Sequence, residues 1–570
     1  MTSDNASPGD PVRLVRSTEG SVALIGHCLL PEEQLTLEVE RALRTGRPDR
    51  LLSAAGACSV VIHHAEGQVL AADDGGQAPL YLATHRDEVV FGSNAAGVAH
   101  RVGADVDLVS LAIEVAVPQE WNLNATRTGY AGVRRLTPGH RRHYGPGGVH
   151  EVDAKVRPDP FRTRDECAEE LRENLSAAVA ARGLPAEARL SADLSGGIDS
   201  TSLVFLALRH ADSLPGLTFS HAEMTVEDDL AHARRFALLD SRIRHHLVIG
   251  TPANLPYHDL RDPVDEPTPA VVATGVDLAK ATAVSRLGCD THLVGEGGDL
   301  VLSAHHNYLL DLARQRRFDL LWRHCAAWAR LRFRSPMGLF THVLRSAWIS
   351  RREGILRLVA ALEEGRNRPR RSWEGGAITP WGTPLCDWLA TPARNALVNH
   401  LLCSLDEEED GLGAGDRAML GHLRSANRAY QVQRAVGAEA GVQVHAPYLD
   451  TQVVRACLSI PSWRKADPAV AKPLLRRALA GLVPDEVLTR RTKGNYTRAA
   501  YLGLRRAAPR ILRMLDHSLG AEIGLIDPSR VATAVEQAMR GLDSHWAPLN
   551  QVLGIELWLR AHAGSETQRR

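Results

Sequence analysis

The stretch ARLSADLSGGIDSTSLVFLALRHA, residues 188–211, decides the fold, because an apolar strand, a glycine turn and an apolar helix follow one another directly. The same alternation continues downstream as strand GLTFSHA, helix DLAHARRFALL, strand RHHLVIG, a helix ending in AVSRL, and strand THLVG. Strands that alternate with helices in this way predict a parallel sheet with helices on its faces. The expected fold class is therefore α/β.

Residues before about 150 have a different pattern. Short apolar or alternating runs, such as SVALIGHCLL and ACSVVIHHA, are broken by turn residues and predict a strand-rich unit. A chain of 570 residues is too long for one core, and the polar stretch 151–163, with two prolines, is the expected linker. We therefore predict domains at residues 1–152 and 164–570, with a helical insertion at about 310–420. A capping box at Thr163–Glu166 is expected to begin the second domain.

Composition argues against several classes of protein. The 67 basic and 67 acidic side chains give zero net charge, which argues against a nucleic-acid or membrane-surface binder. No apolar run approaches the ~20 residues of a membrane helix, and the start MTSDNASPGD has no secretory pattern. The eight cysteines are scattered without a CxxC pair. That distribution is typical of reduced thiols in a cytoplasmic protein and does not predict a zinc site.

The loop SGGIDS, residues 195–200, carries the clearest chemistry. Its glycines allow backbone N–H groups to approach an anion, and the N-terminus of the following helix adds positive potential. Asp199 would repel a phosphate unless a cation lay between them, which implies Mg²⁺. A glycine turn with a serine cap would explain a lone Gly-Gly pair, whereas the whole motif between strand and helix favours a pyrophosphate loop. It lacks the GKS/T ending of a Walker loop, so transfer of a γ-phosphate is not expected.

Four motifs in order resemble those of asparagine synthetases. SGGIDS is similar to the pyrophosphate loop of the N-type ATP pyrophosphatases, and VGEGGD (294–299) to the GEGxDE element. HAPYLD (445–450) is similar to an R-x-P-F-L-D segment, and KPLLR (472–476) and RRTKG (490–494) to two lysine motifs. The resemblance spans about 190–495. It implies a PP-loop synthetase domain, similar to the adenine nucleotide alpha hydrolases, that cleaves ATP to AMP and pyrophosphate.

The resemblance also implies roles for individual residues. The ATP pyrophosphate would be held by Ser195, Gly196, Gly197 and Ser200. Adenosine would lie near Leu194, Phe219 and Gly295, mostly against backbone. Mg²⁺ would be bound by Asp199 and Asp299, whose hard oxygen atoms suit a hard cation.

Three further residues of these motifs would act on the reacting groups. Lys472 and Lys493 would neutralise phosphate charge, and Lys493 would also stabilise the oxyanion formed as the adenylate breaks down. Glu296 would assist deprotonation of the attacking amine. Asp450 is expected to be a structural hydrogen-bonding residue, and Lys465 a surface charge. The pair His305-His306 is expected at the surface or in hydrogen bonds, with the substrate cleft as the alternative.

Residues 20–140 resemble the class II glutamine amidotransferase domain of asparagine synthetases, through ADDGGQAPLY (72–81) and GVRRLTPGH (132–140). The resemblance implies an Ntn-type αββα fold. Glutaminase activity is not expected, because those enzymes use an N-terminal cysteine and Thr2 stands at position 2 here. Cys28 and Cys58 lie inside predicted strands and have no α-amine of their own to act as base. Ammonia is therefore not the expected nucleophile.

Relatives that need no glutaminase narrow the choice of substrate. Beta-lactam synthetases place Tyr where this chain has Glu296, whereas RRFDLLWRHCAAWARLRFRSP (316–336) and the stretches 484–509 and 549–560 resemble lasso peptide cyclases. That resemblance implies a macrolactam synthetase, which adenylates an Asp or Glu side chain of a core peptide and joins it to the peptide's N-terminal amine. A leader-binding protein and a leader peptidase are the implied partners.

Three alternatives remain open. One is a small-molecule amide or lactam synthetase of the asparagine or beta-lactam synthetase type. A PP-loop RNA-modifying enzyme is disfavoured by the neutral charge and scattered cysteines, and a non-catalytic scaffold by the intact Asp199, Glu296, Asp299 and Lys493. Six of the ten tryptophans lie in the arginine-rich region 310–400, which is either a surface for peptide or partner or a helical core with solvated arginines.

Overall fold

The computed structural model describes residues 11–86, 88–183, 189–221, 228–261, 264–365, 378–379, 381–407, 411–490, 492, 494, 497–542 and 546–567. The strands of the N-terminal region are β1 (Val12–Ser17), β2 (Gly20–Cys28), β3 (Gly56–His64), β4 (Gly67–Ala71), β5 (Tyr81–His85), β6 (Glu88–Gly92), β7 (Arg134–Arg135), β8 (His140–Gly145) and β9 (Gly148–Asp153). Its helices are α1 (Glu32–Thr45), α2 (Asp49–Leu52), α3 (Ala95–Val102) and α4 (Leu108–Ala116).

The N-terminal strands form two antiparallel sheets, in the orders β1-β2-β3-β4-β8-β9 and β6-β5-β7. Successive side chains of β2 face opposite sides of the first sheet. Val22 and Leu24 therefore pack with Leu35 of α1, whereas Ile25 packs with Leu82 of the second sheet. Helix α3 covers the other face of the second sheet. The layers therefore follow the order helix, sheet, sheet, helix.

The repeat of strand and helix that was predicted from the sequence is present. After α5 (Arg164–Gly183), the elements are β10 (Leu190–Asp193), α6 (Ile198–Ala207), β11 (Leu214–His221), α7 (Asp228–Ala237), β12 (Ile243–Gly250), α8 (Thr274–Arg286), β13 (Thr291–Leu293) and α9 (Gly298–Val301). Every neighbouring pair in the sheet β12-β11-β10-β13-β14 is parallel. Its core contains Leu203 of α6 and Leu217 of β11, both essentially inaccessible to solvent. The α/β class with a parallel sheet is confirmed.

The remaining elements are mostly helices. They are α10 (Tyr308–Arg314), α11 (Phe318–Leu331), α12 (Pro336–Ser346), α13 (Arg351–Glu363), α14 (Thr391–Cys403), α15 (Ala414–Glu439), β14 (Gln443–His445), α16 (Thr451–Leu458), α17 (Ser462–Lys465), α18 (Pro473–Ala478), α19 (Asp485–Leu488), α20 (Thr497–Asp516), α21 (Leu519–Glu522), α22 (Pro528–Met539) and α23 (Trp546–Thr567). None of the helices in the described residues is long and apolar enough to cross a membrane.

The sequence predicted the start of α5 correctly, but it did not reveal the end of β9 or the strand β14. The capping box is present, because Thr163 N donates to Glu166 Oε2 over 2.8 Å and Glu166 N donates to Thr163 Oγ1 over 3.2 Å. The predicted linker, residues 151–163, overlaps β9, because Glu151–Asp153 pair with β8. The C-terminal part is not wholly helical, because β14 joins the parallel sheet beside β13.

Candidate active site

The loop between β10 and α6 has the geometry of an anion site. Gly196 has φ 78°, and a Cβ at this position would lie 2.9 Å from the backbone N of Ala233, so the close approach of α7 requires glycine. Ser195 Oγ and Ser200 Oγ are 2.7 Å apart, and the Gly197 N–H donates to Ser195 Oγ over 3.2 Å. The loop is thus held in shape by its own hydroxyl groups, and it opens a ten-residue helix.

The three residues that were predicted to surround adenosine come to one edge of the sheet. Leu194 follows β10 and is fully buried, Phe219 lies near the end of β11, and Gly295 follows β13. Strands β11 and β13 flank β10 in the same direction, so their carboxyl ends are neighbours. A Cβ on Gly295 would lie 2.9 Å from the Ser200 N, which shows how closely the β13 loop approaches the SGGIDS loop. Ligands of open α/β sheets bind at such an edge.

Lys472 brings the two predicted metal ligands together. Its Nζ forms an ion pair with Asp199 and lies 2.9 Å from an oxygen of Asp299. Lys472 has φ 49°, a conformation that costs a non-glycine residue about 1 kcal/mol or more, and Pro473 follows it at the start of α18. Residues far apart in sequence thus converge on one point beside the SGGIDS loop.

The carboxylates fit a divalent cation. Oδ1 of Asp199 is buried and has no hydrogen-bond partner, and Asp199 and Asp299 already share one positive group. Among the described residues no three His, Cys, Asp or Glu side chains are grouped to hold a metal by themselves. Two carboxylates completed by phosphate oxygens and water are the ligands typical of Mg²⁺ in nucleotide sites.

A buried polar network lies near Glu296. Asp193 accepts from Lys280 Nζ at 2.6 Å and lies 3.0 Å from His292 Nε2. Burial opposes ionisation of Asp193, but Lys280 and His292 outweigh it and lower the pKa of Asp193 to about 2. Burial also raises the pKa of Asp277 to about 7, with smaller effects from Lys280, which lowers it, and from Asp193 and Glu296, which raise it. No motif in the sequence had indicated Asp193, Asp277 or Lys280. The scarcity of lysine, five in the chain, was the one available signal for Lys280.

Asp229 is a second residue that the sequence did not reveal. Its carboxylate forms an ion pair with the buried Arg490 and accepts from the Gly494 N–H over 3.1 Å. Its backbone carbonyl lies against the Cα of Gly196. Asp229 therefore connects the SGGIDS loop to the RRTKG motif, whose Lys493 lies outside the described residues.

Lys465 and Asp450, two residues near the predicted motifs, are both buried. The prediction for Lys465 is wrong, because its side chain is 0% exposed and its Nζ is 2.9 Å from the Cys457 O and 3.0 Å from Met419 Sδ. Burial lowers the pKa of this ammonium group. Asp450 is structural, since it binds Arg182 at 2.6 and 2.8 Å and accepts from the Gly56 N–H over 2.9 Å.

His305 and His306 lie in a half-buried aromatic cluster after α9. His305 stacks on His422 with ring centroids 5.0 Å apart, and His306 contacts Trp328 at 4.4 Å. Burial lowers the pKa of His305 to about 3 and that of His306 to about 4. Both rings are therefore neutral at physiological pH. Their positions are set by contacts with His422 and Trp328.

The tryptophans of residues 310–400 divide between core and surface. Trp381 and Trp388 are buried, whereas Trp322 and Trp348 are exposed. Trp373 lies outside the described residues. The helical-core interpretation therefore holds for Trp381 and Trp388, and binding of a peptide or partner to this region stays a prediction.

Comparison with known proteins identifies the family. The model of the asparagine synthase family matches residues 170–560, which is more than half of the chain. The chain belongs to the asparagine synthase family, whose members are ATP-dependent amide-forming ligases.

The chain has low similarity to solved structures. One similar solved structure is titled the allosteric regulatory enzyme of purine biosynthesis; it has 14% identity and a TM-score of 0.17, and the match covers 43% of this chain and 63% of that one. A second is a glutamine phosphoribosylpyrophosphate amidotransferase from B. subtilis complexed with ADP and GMP, with 14% identity, a TM-score of 0.18, and coverage of 51% and 65%. The chain thus spans less than two thirds of either structure, and scores this low support no argument about fold. No curated protein matches the sequence.

Proposed function

We propose that this protein is a lasso peptide cyclase, an AMP-forming synthetase that closes a macrolactam ring in a peptide. One observation carries the adenylating chemistry: Asp199, Asp299 and Lys472 converge beside the SGGIDS loop at the edge where Leu194, Phe219 and Gly295 meet. This edge offers backbone donors and a helix N-terminus for phosphate. It also offers two carboxylates for Mg²⁺, which would offset the charge of the ATP phosphates when bound.

The proposed reaction has two steps. An Asp or Glu carboxylate of the peptide attacks the α-phosphorus of ATP, and pyrophosphate leaves as the acyl-adenylate forms. The peptide's N-terminal amine then attacks the acyl carbon, the amide bond forms and AMP leaves. Glu296, at the end of β13, would accept the amine proton, and Lys493 would stabilise the oxyanion. Ser195, Gly196, Gly197, Ser200 and Lys472 would hold the phosphates.

The N-terminal region supports an amine other than ammonia. Its four layers fit the expected amidotransferase-like Ntn fold, and its cysteines do not fit a glutaminase. Cys28 and Cys58 lie in the paired strands β2 and β3, and a hydrogen bond with Cys28 together with burial raises the pKa of Cys58. Neither thiol has an α-amine of its own beside it, so neither can use that amine as its base.

The surface of α11 and α12 supports a large substrate or a protein partner. Its exposed apolar side chains are Phe318, Trp322, Leu331, Phe333 and Met337, and Phe333 is 96% exposed. Trp, Phe, Met and Arg side chains are enriched at interaction surfaces. We propose that the precursor peptide, a leader-binding protein or a leader peptidase contacts this surface.

Mass spectrometry of a reconstituted reaction tests the proposal. The mixture contains a leaderless core peptide, or precursor with leader-binding protein and peptidase, plus Mg·ATP. We expect a product lighter than the linear core by one water, formed in step with AMP. Glu296→Gln should abolish it, whereas Glu522→Gln, a matched change at an exposed residue of α21, should not.

The alternative is a small-molecule amide or lactam synthetase, favoured by the same nucleotide edge. AMP formed only when a small amino acid is supplied, with peptide left unchanged, would replace the lasso hypothesis by this one. A reaction that releases no AMP with either substrate class would contradict both.

A further inference from the structure

A cavity of about 100 Å³ lies between the N-terminal sheets and helix α15. It is distinct from the nucleotide edge, because none of the SGGIDS residues lines it. Much of its wall is apolar, formed by Pro138, Val156, Leu412, Leu420, Leu423 and Leu458. An apolar cavity with a few polar groups is the usual form of a small-molecule site.

The polar part of the wall has an excess of positive charge. Four cations line it, Arg135, Lys155, Arg424 and Arg428, against two lining carboxylates, Asp74 and Glu266. Glu266 pairs with Arg135 and lies 3.4 Å from Arg428, and Glu114 lies 3.0 Å from Arg428. Arg424 donates only to the backbone oxygens of Asn124 and Arg127 in the described structure.

Arg424 therefore forms no ion pair with a carboxylate of the described residues, and Glu114 and Glu266 act on its charge only from further away. Burial, with the nearby Arg135 and Arg428, holds the pKa of Arg424 well below its ordinary value. Because arginine remains protonated in proteins, the cavity retains the charge and favours an anion.

Three atoms of one helical face have no hydrogen-bond partner. They are Nε of Arg424, Nε of Arg428 and Oδ1 of Asn427, all buried. Positions i, i+3 and i+4 lie together on a helix. Asn427 is 5% exposed, and its Nδ2 donates to the Gly75 O, which fixes its oxygen as an acceptor in need of a donor. Buried polar atoms are rarely left unpaired, so the face matches a ligand that has both an anion and an N–H group.

We propose that this cavity binds an α-carboxylate whose α-nitrogen carries a hydrogen and whose side chain is apolar. The carboxylate would accept from Arg424 and Arg428, the N–H group would donate to Asn427, and the side chain would contact the leucines of the wall. Two sources share this chemistry, the C-terminal residue of a peptide and a free amino acid. The inference does not depend on the reaction that the nucleotide edge catalyses.

Isothermal titration calorimetry on the full chain tests the proposal with four probes. N-acetyl-L-leucine represents a peptide C-terminus and L-leucine a free amino acid. N-acetyl-L-leucinamide lacks the carboxylate, and 4-methylpentanoate lacks the N–H group. We expect one of the first two to bind and to raise Tm, and the last two to bind at least about tenfold more weakly, as loss of a charge-assisted or buried hydrogen bond requires.

Variants locate the binding. Arg424→Gln should weaken the best probe by about tenfold or more, and Arg513→Gln, on the exposed face of α20, should not. Asn427→Asp places a carboxylate in the cavity and should abolish binding, although it also loses the hydrogen bond to Gly75. Leu420→Phe, which narrows the cavity and removes no polar group, should weaken binding as well and serves if either polar variant fails to fold. Equal binding of N-acetyl-L-leucinamide, no binding of any carboxylate, or full binding by Asn427→Asp would each overturn the proposal.

Discussion

Nζ of Lys472 lies 2.9 Å from a carboxylate oxygen of Asp299, and the same ammonium group pairs with Asp199. A lysine thus supplies positive charge at the point proposed for Mg²⁺. If this edge binds Mg·ATP as proposed, Lys472 would contact phosphate in place of the two carboxylates. On that proposal, the lysine and the metal would compete for the same oxygens.

Replacement of Lys472 by methionine separates these two effects. Lys472→Met should bind Mn²⁺, a spectroscopic substitute for Mg²⁺, more tightly than wild type without ATP, because both carboxylates lose their cation. It should also release pyrophosphate about 10²–10³-fold more slowly, the usual loss for one electrostatic group. Electron paramagnetic resonance titration measures the first effect and a pyrophosphate assay the second. Unchanged Mn²⁺ affinity, or a gain that persists when Asp299→Asn is added, would contradict the shared site.

Asp229 should be essential for the stability of the RRTKG motif. Its partner Arg490 has a side chain only 1% exposed. Asp229→Ala should therefore cost about 3–5 kcal/mol in the free energy of unfolding, because a buried guanidinium loses its main partner. The neighbouring Asp228→Ala is the control, since Asp228 is 47% exposed and exposed pairs contribute about 1 kcal/mol or less. Urea denaturation measures both, and equal losses would contradict this assignment.

Lys465 should make the free energy of unfolding rise with pH in the alkaline range. Because burial lowers the pKa of Lys465 in the folded chain, the unfolded chain binds more protons between that pKa and about 10.4. Stability from this group therefore rises with pH across that window. Lys465→Met should flatten the rise, as measured by Tm at several pH values from 7 to 10. A variant whose Tm follows pH in parallel with wild type would show that the group does not titrate in this way.

Asp277 should make the free energy of unfolding fall as pH rises toward neutral. Its folded pKa of about 7 exceeds the ordinary value 3.8, so the folded chain binds more protons in between and its stability falls as pH rises through that window. Asp277→Asn removes this loss. Relative to wild type, the Tm of the variant should be more favourable at pH 8.5 than at pH 5, and a difference independent of pH would refute the assignment.

Much of the fold followed from local pattern. The alternation around residues 188–295 predicted each parallel strand from β10 to β13, because strand and helix periods are properties of short segments. Strand β14 was missed, since three residues, one of them the polar Gln443, carry no recognisable period. Glu151–Asp153 were missed as a strand for the related reason that both faces of β9 are exposed, so its residues do not alternate between apolar and polar.

The sequence by itself determined the SGGIDS loop, its place between strand and helix, and the order of the motifs after it, because each depends on neighbouring residues. Only the tertiary structure decided that Lys472 joins Asp199 to Asp299, that Asp229 holds Gly494 and that Lys465 is buried. It also decided that Arg424 lines a cavity and donates there to backbone oxygens, with no ion pair to a carboxylate of the described residues. These relationships join residues that are distant along the chain. The packing of whole elements brings them together, and burial then sets the charge state of each side chain.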